Sequence, residues 1–288
     1  MGAGGMRGAS IFLRVLLTGA VLAATQALAD DNDRAVSGFY LKAGAAEQRG
    51  RLDDAIAAYG GIIKLRPADA DAWRDRAVIE AAKKDGAAAS RDLNQAIRLQ
   101  PRDARAYVER GKLYAAAGQF ESALADFDEA LHLNPDYAGA LTAKAAVYGY
   151  QHNYDGAITA MNQLLKMQPQ NAELLNGRCW ERALANRELK IAEADCAAAL
   201  RASQNPQLSA AAHDSRAFVY YREGRFAEAV AEYDGVLKVL PRSAETLFRR
   251  GLAKSRNKDA AGGKADIARA LSMDAHAGDE MASIGVKP

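Results

Sequence analysis

ARAYVERGKLYAAAGQFESALADFDEALHLNP, residues 104–135, reads as two helices joined by a tight turn. Tyr107, the stem of Arg110, Gly111 and Tyr114 recur every three or four residues and lay one stripe along a first helix. Gly118 breaks that pattern, as a glycine does where the chain needs a left-handed residue. Phe120 reopens it, and Ala123, Phe127 and Ala130 make the facing stripe of a second helix. Pro135 ends it, because proline disfavours helical geometry in the residue before it. Small Gly111 and Ala123 predict a close crossing of the two helices. A lone helical hairpin of this size cannot bury both faces, so it needs neighbours.

The chain supplies them. Pro67, Pro101, Pro135 and Pro169 are each 34 residues apart, inside the related phrases KLRPADA, RLQPRDA, HLNPDYA and KMQPQNA. Pro241 in KVLPRSA continues the series after an irregular stretch. A fixed period of this length marks a repeat architecture.

The period and its residues resemble the tetratricopeptide repeat family. The family favours a large residue at position 4, small ones at 8, 20 and 27, a large one at 24 and proline at 32. Phe39, Ala43, Ala55, Tyr59 and Pro67 fit the first unit, and Trp73, Ala77, Ala89, Leu93, Ala96 and Pro101 the second. Leu141, Ala145, Tyr148, Ala157, Met161 and Pro169 fit the fourth, and Ala217, Tyr220, Ala229, Tyr233 and Pro241 the sixth. The resemblance implies an all-α, right-handed superhelical solenoid of about seven helix-turn-helix repeats. They span 36–69, 70–103, 104–137, 138–171, an irregular 172–209, 210–243 and a degenerate cap, 244–277. A short leader, 30–35, precedes them and a loose tail, 278–288, follows. In the fifth repeat one residue is inserted in the turn near Ala185 to Arg187, and Ser203 to Pro206 form a long loop. The seventh has Ala275 where proline is expected and Gly262-Gly263 within its second helix. The wording RCWERALANRELKIAEADCAAAL is also similar to exported tetratricopeptide proteins of alphaproteobacteria, a group that implies no set activity.

The first 29 residues contain Arg7 and Arg14 but no acid. VLLTGAVLAATQA, residues 15–27, is apolar and small, and Ala27-Leu28-Ala29 has the form cut by signal peptidase. The run is shorter than the roughly 20 residues of a spanning helix. A cleaved signal, 1–29, and a periplasmic or otherwise exported protein follow as expectations; Met6 would also serve as initiator. Without that segment the chain has 36 basic and 36 acidic residues. Net neutrality argues against non-specific nucleic-acid binding.

No catalytic constellation emerges, so the expectation is a protein that is not an enzyme and needs no cofactor or metal. His213-Asp214-Ser215 are consecutive on a helix and point about 100 degrees apart, so they form no relay. Gly262-Gly263-Lys264 is followed by alanine and lacks the upstream glycine of a phosphate loop. The many acidic residues read as solvated helix faces.

In the family's geometry, Cys179 and Cys196 lie on facing sides of one helical hairpin. An exported compartment permits a disulfide between them; the alternative is two buried small hydrophobes. The first helix of each family repeat lines a concave groove. Carried over, the N-terminal half offers Tyr40, Gly44, Arg74, Val78, Lys112 and Ala115. The C-terminal half offers Tyr150, Trp180, Phe218, Tyr221, Arg222 and Phe248, with Arg249 and Arg256 close by. Rings beside arginines suit a peptide whose carboxylates the arginines take. The carboxylate clamp of some members is missing, since Tyr40, Gly44, Asp75, Arg105 and Glu109 occupy its positions. The resulting expectation is a scaffold binding a protein or peptide partner in the cell envelope. The alternative is a glycan or small-ligand binder, or an accessory subunit of an envelope enzyme, using the aromatic groove.

Overall fold

A computed structural model describes residue 26 and residues 30–288. The expected export signal, 1–29, lies outside the described residues apart from position 26. Among the described residues every regular element is helical. The helices are α1 (30–48), α2 (Leu52–Leu65), α3 (Ala70–Ala82), α4 (Gly86–Leu99), α5 (Ala104–Ala116), α6 (Phe120–Leu133), α7 (Ala138–Tyr150) and α8 (Tyr154–Met167). They continue as α9 (Ala172–Ala185), α10 (Leu189–Ala202), α11 (Pro206–Arg222), α12 (Phe226–Val239), α13 (Ala244–Arg256), α14 (Ala260–Met273) and the short α15 (Asp279–Ser283). None is long and apolar enough to cross a membrane. The chain divides into two compact units, Met1–Glu129 and Ala130–Pro288.

Most of the hairpins open with the same local chemistry. Asp69, Asp103, Asn171 and Ser243 accept from backbone N–H groups two or three residues on, in the first turn of the following helix, which satisfies donors that a helix start leaves free. The turn inside each hairpin needs one left-handed residue. Gly50, Gly118 and Gly224 take it without strain, and Lys84, His152, Asn186 and Lys258 take it elsewhere. In the fifth repeat the extra residue follows Asn186, and Glu188 becomes a second left-handed residue, at φ 50°.

In the first unit, Val36, Ala43, Ala55, Tyr59 and Ile62 form a core between α1 and α2. Leu93 and Ala96 of α4 pack on Ala77 of α3. Between α5 and α6, a Cβ on Gly111 would stand 2.5 Å from the Phe127 ring and 3.1 Å from the Ala123 carbonyl oxygen. Only a glycine permits that crossing.

In the second unit, one apolar core runs from Cys179 through Phe218, Leu247 and Phe248 to Met281 and Val286. Cys179 and Cys196 are joined by a disulfide, with Cα atoms 5.6 Å apart.

Three expectations need correction. Residues 30–35 are no separate leader but part of α1. The loop before the sixth repeat is short, because α11 starts at Pro206 under an Asn205 cap; a proline fits the first helical position, where no N–H is needed. The tail is not loose. Met281 is 1% exposed and Val286 8%, and Gly278 lies against Phe248 so closely that a Cβ would come within 2.5 Å of the ring. In the seventh repeat it is the tail that covers Phe248.

Candidate functional site

The first helices α7, α9, α11 and α13 of the second unit flank two cavities. One, of about 470 Å³, is lined by Ala145, Gly149 and Tyr150 of α7, Met161 of α8, Glu181 of α9 and Glu280 of α15, with Trp180 and Leu184. The other, of about 400 Å³, is lined by Asn176 of α9, Asp214 of α11, Thr246 and Arg249 of α13, and again by Trp180 and Glu280. Trp180 and Glu280 therefore stand between the two. Trp180 is held there by Phe218, whose ring centroid is 5.3 Å away, and by the Arg249 guanidinium, 5.1 Å from its own ring centroid. The guanidinium takes up part of the indole surface, which leaves less of it as a sugar platform.

Both cavities are lined by carboxylates, but only the second also has an arginine. In the second, Arg249 bonds Asp214 at 2.8 Å and approaches Glu280 at 3.6 Å. Burial works against the Arg249 charge, Asp214, Tyr233, Glu280 and Glu245 together outweigh it, and its pKa is raised. Thr246 donates to Asp214 at 2.7 Å. Asn176 Oδ1 in the same wall is buried without a hydrogen-bond partner. In the first cavity the charged lining groups are Glu181, Glu280 and, when protonated, His152. Glu181 Oε2 is buried and unpartnered. Its carboxyl is pushed up to about 7, first by burial and then by Glu280.

The residues expected to line a groove separate into three groups. Tyr150, 74% exposed, and half-buried Trp180 line the first cavity. Phe218 and Phe248 are core residues, 1% and 5% exposed, so their rings are closed to a ligand. Tyr221 is half-buried, stacked on Phe218 at 5.9 Å and edge-on to Phe226 at 5.5 Å. Two of the three arginines are committed elsewhere. Arg222 donates to the Ala183 and Leu184 carbonyl oxygens at 3.0 and 3.1 Å, closing the C-terminal end of α9; burial lowers its pKa. Arg249 is paired as above, and Arg256 is exposed at the end of α13. Expected capture of carboxylates by Arg222 and Arg249 is thus overturned, because both already hold internal acceptors. In the first unit Arg74 is likewise buried against Asp71, Asp75 and Asp103.

A further cavity, of about 470 Å³, lies between α11 and α12 beside His213. There His213 and Arg216 both bond Glu232, each at 2.6 Å. His213, Asp214 and Ser215 serve no common chemistry. The first faces Glu232, the second faces Arg249, and Ser215 is 4% exposed.

Comparison with known proteins bears on the whole array. Two family profiles, both described as tetratricopeptide repeat, match residues 82–148 and residues 17–62, 40–90 and 142–180. Together they span 17–180, more than half of the chain. The chain belongs to the tetratricopeptide repeat family. Among solved structures, a tetratricopeptide repeat protein from Parabacteroides merdae is similar over 88% of this chain and 99% of its own, with TM-score 0.62 and 17% identity. YrrB, described as a TPR protein with an unusual peptide-binding site, is similar over 66% of this chain and 96% of its own, with TM-score 0.50 and 19% identity. The Cut9–Hcn1 hetero-tetramer of APC/C gives TM-score 0.56 and 14% identity, over 85% of this chain and 55% of that one. At such identities the likeness is one of fold. No curated protein sequence matches the chain. Repeat proteins of this family are usually non-catalytic scaffolds that mediate protein–protein interactions.

Sequence reasoning missed Glu181, Glu280 and Asn176. The first two gave no signal, since an isolated glutamate on a helix and another in a tail look like solvated charge. Asn176 sits four residues before Trp180 on α9, the helical spacing that places both on one face.

Proposed function

We propose that this repeat protein is a non-enzymatic, exported adaptor that binds a polypeptide of the cell envelope. The polypeptide lies along the first helices of the second unit, over Trp180. The observation that carries this reading is the paired cavities with Trp180 and Glu280 between them. Two adjoining depressions with a ring at their junction accept successive side chains of one extended segment better than one compact metabolite. Export rests on the apolar stretch 15–27 and on the Cys179–Cys196 bond, which needs an oxidising compartment.

The test is a photocrosslinking amino acid placed at position 150, with position 41 as control. Both side chains are exposed, at 74% and 77%. The expected result is one discrete adduct from position 150 that is absent from position 41 and fades when Trp180 is changed to Ala. Identical adduct patterns from the two positions, or a Trp180→Ala protein that is folded and crosslinks undiminished, would sink the assignment.

A further inference from the structure

The cavity between α7, α9 and α15 has room, an apolar wall and unbalanced negative charge. Its lining includes Glu181 and Glu280 but no lysine or arginine. Glu181 Oε2 is cut off from solvent and accepts no hydrogen bond. Buried polar atoms in native proteins almost always have a partner, so an orphaned carboxylate oxygen on a cavity wall calls for a donor. The nearby guanidinium groups do not supply one: Arg222 bonds backbone carbonyls and Arg249 bonds Asp214. Gly149 keeps the space in front of Glu181 open, since a Cβ there would sit 3.1 Å from Oε1. Ala145, Met161 and Leu184 provide apolar surface for a methylene stem, and Tyr150 places an aromatic ring at the rim.

We propose that this cavity takes the lysine or arginine side chain of the bound polypeptide, with Glu181 as the acceptor of its charge. This rests on the peptide-binding reading above and adds a sign to it. An acidic side chain is refused, because it would enter against two carboxylates. Glu280 comes from the tail, so the C-terminal segment that covers Phe248 also completes the recognition site. Without the tail the cavity would keep Glu181 alone.

The experiment follows the two tryptophan indole resonances of the full chain by NMR, assigned with Trp73→Phe. Measurement at pH 8.5 keeps Glu181 ionised, since its carboxyl is pushed up to about 7. The probes are Nα-acetyl-lysine amide, Nα-acetyl-arginine amide, the neutral norleucine analogue, the glutamate analogue and the free diamine cadaverine. The two blocked basic residues are expected to shift the Trp180 resonance saturably, leaving Trp73 unmoved, while the neutral and acidic analogues do nothing. Glu181→Gln keeps the shape and is expected to weaken the basic probes about tenfold, the loss of one charged hydrogen-bond partner. Equal binding of the norleucine analogue overturns the proposal, as does undiminished binding by a folded Glu181→Gln protein. Tighter binding of cadaverine than of the blocked residues assigns the cavity to small amines and overturns the peptide source. None of these outcomes depends on the crosslinking partner, so failure here is distinct from failure of the adaptor reading.

Discussion

Arg110 contributes a great deal more than its stem. Its guanidinium holds Asp126 of the same hairpin through two bonds of 2.8 Å and Asn94 of the preceding hairpin through a third. Arg178 does the same with Asp195 and Asn162, and Arg250 with Asp266 and Asp234. Arg76 with Asp92 and Arg216 with Glu232 carry the intra-hairpin half of the arrangement. The spacing of 16 or 17 residues was there to be read. It was missed because charge on a helix is ordinarily solvated, whereas Asp92, Asp126 and Asp195 are only 5–6% exposed. Such a pair is costly to assemble and costlier to halve. Arg110→Ala leaves Asp126 buried without its cation and is expected to destabilise the first unit by about 3 kcal/mol, read from a urea midpoint. Lys112→Ala removes an exposed pair with Glu109 and is expected to cost under about 1 kcal/mol. Equal losses for the two variants would remove the distinction.

At the scale of the helix, the repeating rule is a small residue facing a small residue where two helices cross. Ala43 with Ala55, Ala77 with Ala89, Ala145 with Ala157 and Ala217 with Ala229 keep it, and all eight are at most 5% exposed. This rule was legible in the sequence, together with the prolines and most of the turns. The seventh repeat looked broken because its second helix carries Gly262-Gly263. The structure gives Gly263 a packing reason. A Cβ at 263 would stand 2.6 Å from the Gly251 carbonyl oxygen and 2.1 Å from Ser255 Oγ. Alanine is favoured over glycine within a helix by about 1 kcal/mol. A contact with backbone cannot relax as a side chain does, and overpacking costs about 1–3 kcal/mol. Gly263→Ala is therefore expected to lower the melting temperature despite its better helix propensity, whereas Gly235→Ala, with nothing within 4 Å of its Cβ, is expected to raise it. The tail was not legible by the same reasoning. Its contacts with Phe248 are specific to the end of the array, and no periodic pattern announces them.

Across the whole molecule, each repeat draws most of its stability from itself and its immediate neighbours. A weak repeat is thus a local problem with a local remedy. The fifth repeat is the weak one, because its turn holds two left-handed residues that are not glycine, Asn186 and Glu188; asparagine tolerates that region better than most, whereas a residue such as Glu188 costs roughly 1–2 kcal/mol there. It is also the repeat with the disulfide. Cys179 takes the place that Gly111 and Gly251 hold in their hairpins, and Cys196 the place of Phe127 and Ile267, which those glycines touch. A covalent bond thus stands where a ring or branched chain elsewhere packs on a small residue. Bond and packing are separable. Cys179→Ala with Cys196→Met recreates the pairing of Ala145 and Met161 in the fourth repeat without a cross-link. Closing a loop of this size stabilises by about 3 kcal/mol in the chain-entropy model. The double variant is expected to lose protection from hydrogen exchange in α9 and α10, less in α8 and α11, and none in α3 and α4. Reduction of the native protein should give the same gradient with a larger loss, since it leaves two small thiols where a large residue is needed. A uniform loss along the chain would mean that the bond supports the array as one cooperative body instead of securing its irregular repeat.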